Sequence, residues 1–152
     1  MVIRRAAAAD VDALCGLLRI LFSLERDFAF DAVKARRSLS LLLEREDALL
    51  LAAEAEGQVA GMCSVQTLIS TAEGGPVGLV EDLVVTEAWR GRGIGRMLLG
   101  EVERWAVSRG LTRLQLLTDS GNRPTLDFYD RLGWSGTHLV VRRKMVFREG
   151  GA

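Results

Sequence analysis

The pattern of apolar and polar positions changes its period along the first half of the chain. After a short apolar strand at 2–5, apolar residues recur every three or four positions behind Asp10 and again behind Asp31. This spacing predicts two amphipathic helices, each capped at its start by one of these aspartates. Apolar runs at 48–54 and 59–69, joined by turn-forming residues, then predict a hairpin of two strands.

The second half alternates between the two periods. A strand, a long helix that ends at Gly110, a strand, a helix capped by Asn122 and one or two closing strands follow one another. These predicted elements lie at 77–85, 93–109, 111–118, 124–132 and 134–146. The resulting order is β-α-α-β-β-β-α-β-α-β, and it contains neither an internal repeat nor a linker.

Length and composition set the class of protein. The 152 residues suffice for one domain with a proper core, which we assign to 1–148 with a short tail at 149–152. With 49% apolar and 26% charged residues, the chain has the composition of a soluble globular protein. Its formal net charge of zero and the lack of a strongly basic face argue against nucleic acid as a partner.

The sequence also gives an expectation for compartment and metal content. It holds no apolar run of about 18 residues and no signal-peptide core, so we expect no membrane partner and a cytoplasmic location. Cys15 and Cys63 make neither a disulfide framework nor a zinc-ligand spacing, and we expect no metal.

The stretch 81–95, EDLVVTEAWRGRGIG, carries the strongest chemical signal. Glycines let a backbone come close to a ligand, and the free N–H groups at a helix start attract an anion together with the helix dipole. Arginines add positive charge around that point. We therefore predict a seat for the pyrophosphate of a phosphate-bearing cofactor. The residues of the loop are Arg90, Gly91, Arg92, Gly93, Ile94, Gly95 and Arg96.

The spacing of the glycines in this loop narrows the choice of cofactor. It fits neither the dinucleotide pattern GxGxxG nor the phosphate-loop pattern GxxxxGK[ST]. It fits [Q/R]-x-x-G-x-[G/A], with Arg90, Gly93 and Gly95 at the fixed places. This pattern resembles the acetyl-CoA loop of the GNAT superfamily of N-acetyltransferases.

A second motif extends the resemblance downstream. Asn122, the pair Phe128-Tyr129 and the run 132–134, LGW, resemble the superfamily pattern N-x(2–5)-A-x-x-F-Y-x-x-x-G-[FW]. Thr125 stands where the family often has alanine. The two motifs come in the right order, separated by one helix and one strand, and together they cover roughly 79–134.

The resemblance implies a fold and a cofactor. The fold is an α/β GNAT-like one, whose central, mostly antiparallel, twisted sheet has six to seven strands with about four helices on both faces. The cofactor is acetyl-CoA, whose pantetheine arm pairs with the backbone of the strand before the loop, and homodimers are common in the superfamily. The cofactor-binding residues so implied are Leu83, Val84, Val85, Arg90, Gly91, Arg92, Gly93, Ile94, Gly95, Arg96, Asn122, Phe128 and Tyr129.

Tyr129 is the candidate general acid. When an amine attacks the thioester, the departing thiolate needs a proton, which a phenol within hydrogen-bond reach can supply. Tyr129 is the only tyrosine in the chain, and it falls where the family has its acid. The alternatives are a core role for Tyr129 at the sheet edge, a packing role for Phe128 and a purely capping role for Asn122.

Glu81 and Asp82 are the candidate acceptor-side carboxylates. An ammonium acceptor must lose a proton before it attacks, and a nearby carboxylate can take it directly or through water. Neighbouring strand residues face opposite sides, so we expect only one of the pair to line the cleft. We assign the base role to Glu81 and a structural or acceptor-holding role to Asp82. The run EDLVV is also similar to that of amino-sugar acetyltransferases in the superfamily.

The function hypothesis is acetyl transfer from acetyl-CoA to a primary amine by direct attack in a ternary complex. The alternative is a non-catalytic acyl-CoA binder, acting as a sensor or interaction module. The acceptor stays open among protein N-termini, polyamines, amino sugars, amino acids and drug-like amines. The acceptor side is expected from 21–30, the helix after it and the loop 70–76, where Glu25, Asp27 and Asp31 are candidates to attract a cationic amine.

Overall fold

The computed structural model describes residues 1–147, which form two compact units. The first unit is Met1–Leu117 and the second begins at Thr118. The prediction of one domain over 1–148 stays a prediction, and the predicted tail at 149–152 lies outside the described residues. The helices are α1 (Val11–Leu24), α2 (Ala32–Glu44), α3 (Ile94–Ser108) and α4 (Arg123–Arg131). The strands are β1 (Val2–Arg5), β2 (Ala48–Ala55), β3 (Gln58–Ser70), β4 (Gly75–Val85) and β5 (Leu114–Leu116).

The first unit contains one five-stranded sheet in the order β1-β2-β3-β4-β5. The three pairs from β1 to β4 are antiparallel, and β4 pairs with β5 in parallel. The predicted hairpin between β2 and β3 forms as expected, because Glu56 and Gly57 both take positive φ values, 52° and 75°.

Helices cover both faces of this sheet. On one face, Leu14 and Leu18 of α1 and Leu39 of α2 are buried in a cluster with Met62 of β3. On the other face lies α3: a Cβ built on Gly61, the neighbour of Met62, would come within 3.2 Å of the Ile94 side chain. Since successive strand residues point to opposite faces, the sheet is the middle layer of the unit.

The two predicted aspartate caps have different outcomes. Asp31 caps α2, since its carboxylate accepts the backbone N–H of Lys34 at 3.1 Å. Asp10 makes no side-chain cap bond at the start of α1. It accepts the Ala7 N–H at 2.7 Å and two guanidinium bonds from Arg4, because a short 3-10 turn, Ala8–Asp10, precedes the helix.

Two features of the expected sheet are wrong. It has five strands among the described residues, where six to seven were expected, and it is mixed, where it was expected to be mostly antiparallel. The missing strands are the closing ones at 134–146, where no strand forms and the side chains of Leu139, Val140 and Val146 are at least 80% exposed. Apolar residues alone do not make a strand, which also needs a neighbour to pair with.

Candidate active site

Strand β4 loses one of its two neighbours halfway along its length. Its parallel pairing with β5 covers only Gly78, Leu79 and Val80. Beyond Val80, no strand of the described residues pairs with that edge of β4, while β3 continues to pair with the other edge. The last residues of β4, which include the predicted pantetheine-binding run 83–85, therefore present an unpaired backbone edge. Val84 is buried within that run, and its two neighbours are half-buried.

A β-bulge lies at the start of this unpaired stretch. Met62 of β3 faces Val84 and Ser64 faces Glu81, so Cys63 alone lies opposite both Asp82 and Leu83. Asp82 has φ = 55°, one of two positive values among the described non-glycine residues. The backbone there turns out of the regular pleat, which re-aims the side chain of Asp82.

Several carboxylates lie close enough to Asp82 or to one another to change their pKa values. Burial is the main cause that raises the pKa of Asp82 from 3.8 to about 6, and the charges of Glu81 and Glu25 add to it. The pKa of Glu25, at the end of α1, is raised by burial and then by Asp27 and Glu81. The structure therefore groups Glu81, Asp82, Glu25 and Asp27, but Asp31 is engaged as the α2 cap.

The Arg/Gly loop starts where β4 ends. After a 3-10 turn, Glu87–Trp89, the Nε of Arg90 donates to the Val85 carbonyl at 3.0 Å, which ties the loop to the end of β4. Gly91 and Gly93 have φ values of 72° and 81°. A Cβ on either would meet no atom within 4 Å, so glycine is required here by backbone conformation and not by packing.

The N-terminus of α3 is left without a cap. Gly93 occupies the cap position, no side chain bonds there, and no acidic residue lies in the first turn. The N–H of Met97 is bonded to the Gly93 carbonyl at 3.0 Å. The amides of Ile94, Gly95 and Arg96 precede that bond, so they are the orphan donors of the helix. In contrast to α2 and α4, α3 has donors and dipole free for an external anion.

The side chains around these amides fix the loop and give it charge. Ile94 is 1% exposed, so its side chain anchors the first turn of α3 in the core. The guanidinium of Arg92 lies 4.5 Å from the centre of the Trp89 ring. Arg90, Arg92 and Arg96 are all exposed and surround the amides with positive charge.

The second unit holds the other predicted motif. Asn122 caps α4, with its side-chain oxygen accepting the Thr125 N–H at 3.2 Å. The ring of Tyr129 packs edge-on against Phe128, at 5.2 Å between centres, and against Trp134, at 6.0 Å. Phe128 and Tyr129 are half-buried. The packing role for Phe128 and the capping role for Asn122 are therefore present, and their cofactor roles stay predictions.

The roles of Ser64 and Cys63 at the bulge were not predicted from the sequence. The hydroxyl of Ser64 donates to the Glu81 carbonyl at 3.2 Å, and the Cys63 thiol lies 3.8 Å from the same oxygen. A serine in an apolar strand gives no warning of such a role, because the bulge that creates it depends on strand register. For Glu25, the acidic stretch was visible in the sequence, but its proximity to β4 was not.

Comparison with known proteins gives a consistent family. The model of the Acetyltransferase (GNAT) family matches residues 17–134. The chain is 34% identical over 76 residues to an aminoglycoside N(6′)-acetyltransferase type 1 of Stenotrophomonas maltophilia, a match that covers 48% of this chain and half of that relative. It is 28% identical to the uncharacterized N-acetyltransferase YhfO of Bacillus subtilis (strain 168), over 88% of this chain and 89% of that one.

The solved structures agree on the fold. The aminoglycoside acetyltransferase AAC(6′)-Iy, solved in complex with the bisubstrate analogue CoA-S-monomethyl-acetylneamine, superposes with a TM-score of 0.82. The match covers 96% of this chain and 98% of that one at 19% identity. At this identity the likeness shows a shared fold.

Proposed function

The chain belongs to the acetyltransferase (GNAT) family, and on that premise we propose that it moves an acetyl group from acetyl-CoA to a primary amine by direct attack in a ternary complex. The observation that carries the proposal is the uncapped N-terminus of α3 beside the unpaired edge of β4. The helix N-terminus offers hydrogen-bond donors and positive charge for a pyrophosphate, and the strand edge offers backbone groups for the amides of the pantetheine arm.

The cofactor contacts follow from these two features. The amides of the loop 91–96 would hold the pyrophosphate, helped by the exposed arginines. The backbone of 83–85 would hydrogen-bond the pantetheine amides as an added strand would. Bound in this way, acetyl-CoA supplies a thioester carbonyl for attack. Peptide groups held rigidly near that carbonyl would orient and polarise it.

For the general base, the geometry favours Asp82 over the sequence-based choice of Glu81. A base works best when its pKa lies near the working pH, and the pKa of Asp82 is raised to about 6. The side chain is half-buried at the bulge, whereas Glu81 is exposed. In this proposal Asp82 accepts a proton from the ammonium group, directly or through water, and Glu81 helps to hold the acceptor.

Tyr129 keeps its proposed role as the general acid. Attack of the amine on the thioester carbonyl would form the carbon–nitrogen bond and break the carbon–sulfur bond, with the sulfur taking the electron pair and the nitrogen losing its second proton to water. The Tyr129 hydroxyl would donate its proton to that sulfur. Its ring is held between Phe128 and Trp134, which supports a fixed orientation of the hydroxyl.

The acceptor class we propose is a cationic amine, with amino sugars first among the candidates. Glu25 and Asp27 add negative charge beside Glu81 and Asp82, which attracts ammonium groups. In the same stretch of chain as Glu25 and Asp27, the ring of Phe22 packs against those of Phe28 and Phe30, at 5.6 and 6.5 Å between centres. The name of the Stenotrophomonas maltophilia relative, an aminoglycoside acetyltransferase, points to the same class.

A panel assay tests this proposal. Acetyl-CoA is incubated with amino sugars, aminoglycosides, polyamines, amino acids and peptides, and released CoA is read by chromatography. Release that depends on a cationic amine is the expected result. Saturable acetyl-CoA binding without release on any acceptor would instead support the non-catalytic binder.

A further inference from the structure

The bulge in β4 is an unfavourable local conformation that something must hold. Asp82 lies in the left-handed region of φ, where a side chain crowds its own backbone. A bulge also interrupts the ladder of hydrogen bonds between β3 and β4. A contact that holds the backbone at this point therefore compensates for these costs.

Ser64 makes that compensating contact. It is 1% exposed and is one of two buried polar or charged side chains among residues 1–147. The other, Asp10, is paired with Arg4. The Ser64 hydroxyl donates to the carbonyl of Glu81 at 3.2 Å. That carbonyl belongs to the peptide group joining Glu81 to Asp82. The hydrogen bond therefore fixes the orientation of the peptide plane that leads into the Cα of Asp82.

Cys63 provides only a weak second donor to the same carbonyl. Its sulfur lies 3.8 Å away, and burial raises the pKa of its thiol to about 12, so it stays protonated. A thiol is a poor hydrogen-bond donor compared with a hydroxyl. Loss of the Ser64 hydroxyl would therefore leave this carbonyl with the weak thiol as its side-chain donor.

We propose that Ser64 is a positioning residue: its hydroxyl holds the β4 bulge that aims the Asp82 carboxylate at the acceptor amine. This inference rests on the proposed function, in which Asp82 is the base. Ser64 touches neither substrate in this account and acts only through the peptide group between Glu81 and Asp82.

The charges around Asp82 determine what its titration would report. Burial is the main cause that raises its pKa, Glu81 on β4 and Glu25 at the end of α1 raise it further, and the Cys63 thiol on β3 stays neutral. If the bulge relaxes, the carboxylate moves toward water and away from this environment. Its pKa should then fall toward the ordinary value of 3.8.

The test compares Ser64→Ala, Ser64→Thr and a matched control, Cys15→Ala. The control also removes a buried side-chain group that contacts a main-chain carbonyl, that of Ala32 at 3.9 Å. We expect Ser64→Ala to lower kcat roughly tenfold or more, with KM for acetyl-CoA within about twofold. Ser64→Thr restores kcat, and Cys15→Ala lowers thermal stability while kcat and its pH profile stay unchanged. Equal kcat in Ser64→Ala and the control would overturn the proposal.

A second measurement does not need turnover. The carboxyl groups of protein labelled with ¹³C-aspartate are titrated by NMR, and the Asp82 signal is assigned by its loss in Asp82→Asn. We expect the pKa of Asp82 to fall by at least about half a unit in Ser64→Ala. An unchanged pKa shows that the bulge does not need the hydroxyl, which refutes the proposal whatever the acceptor is.

Asp82→Asn separates this failure from failure of the proposed function. If Asp82→Asn loses turnover but Ser64→Ala does not, only the role of Ser64 is wrong. If Asp82→Asn turns over as the unchanged protein does, the base assignment fails and the role of Ser64 fails with it.

Discussion

At the scale of single residues, Asp82 shows how position and environment create a candidate catalytic group. The sequence places it beside Glu81, and alternation along a regular strand indicates only that one of the two carboxylates lines the cleft, for which we chose Glu81. The bulge opposite Cys63 breaks that alternation, and burial then raises the pKa of Asp82 to about 6. A one-residue change of register is set by contacts between strands, so local sequence does not reveal it.

The pH dependence of activity follows from this pKa. Asp82 accepts a proton only when it is ionised, so kcat/KM should rise with pH through an apparent pKa of about 6. Asp82→Asn should remove this rising limb of the pH profile and lower kcat/KM by about a hundredfold or more. Initial rates from pH 5 to 9, with the acceptor below saturation, measure both. A limb that persists in Asp82→Asn belongs to another group.

The free energy of unfolding should change with pH in the opposite direction to activity, because ionised Asp82 destabilises the fold. Because its folded pKa lies above the unfolded one, the protonated form is the stable one, and its contribution is lost as pH rises through about 6. Asp82→Asn should therefore raise the free energy of unfolding at pH 8 by about 1–3 kcal/mol. The gain should narrow below pH 6, as measured by urea denaturation. A destabilised variant at pH 8 would contradict the cost of this buried charge.

The contribution of Asp10 to stability should change with pH in the direction opposite to that of Asp82. The hydrogen bonds from Arg4 lower the pKa of Asp10, so this pair stabilises the fold above the unfolded pKa and ceases to do so as pH falls through the folded value. Asp10→Asn should cost about 1–3 kcal/mol at pH 7 and less in acid. Denaturation of both proteins at pH 7 and at pH 4 checks this, and a cost independent of pH would argue against the ion pair.

At the scale of elements, the junction of β4, the Arg/Gly loop and α3 was predictable from the sequence, but the extent of the pairing between β4 and β5 was not. Helical spacing after Gly93 and the apolar run before Glu81 depend on local sequence, so both elements form near their predicted bounds. The early end of the β4–β5 pairing depends on where β5 leaves the sheet, which no local pattern encodes. The absent strands at 134–146 fail for the same reason, since pairing is a property of two segments.

The role of the α3 N-terminus can be isolated with matched glycine variants. Gly93→Ala and Gly110→Ala each place a Cβ at a positive φ, 81° and 71°, at opposite ends of the same helix. Both should lose about 1–2 kcal/mol of stability, because the backbone strain is alike. Only Gly93→Ala should weaken acetyl-CoA binding, by roughly tenfold, since only that end offers free amides. Calorimetric titration that finds equal affinities would remove α3 from the cofactor site.

At the scale of the whole molecule, the family model and the fold agree that this chain is a GNAT acetyltransferase. No helix within residues 1–147 has the length and apolar character needed to cross a bilayer. The two motifs that predicted the family from sequence lie in different compact units, the loop in the first and Tyr129 in the second. The homodimer that the resemblance implies stays a prediction, which size-exclusion chromatography with light scattering would test.

The central claim is direct transfer of acetyl from acetyl-CoA to a cationic amine, with both bound at once. Initial velocities with acetyl-CoA and the best acceptor both varied test it most directly, with mass spectrometry of the acceptor to identify the product. We expect intersecting double-reciprocal lines and an acceptor that gains one acetyl group on its amine. Parallel lines, with acetyl-protein formed in the absence of acceptor, would contradict direct transfer and with it the roles of Asp82 and Tyr129.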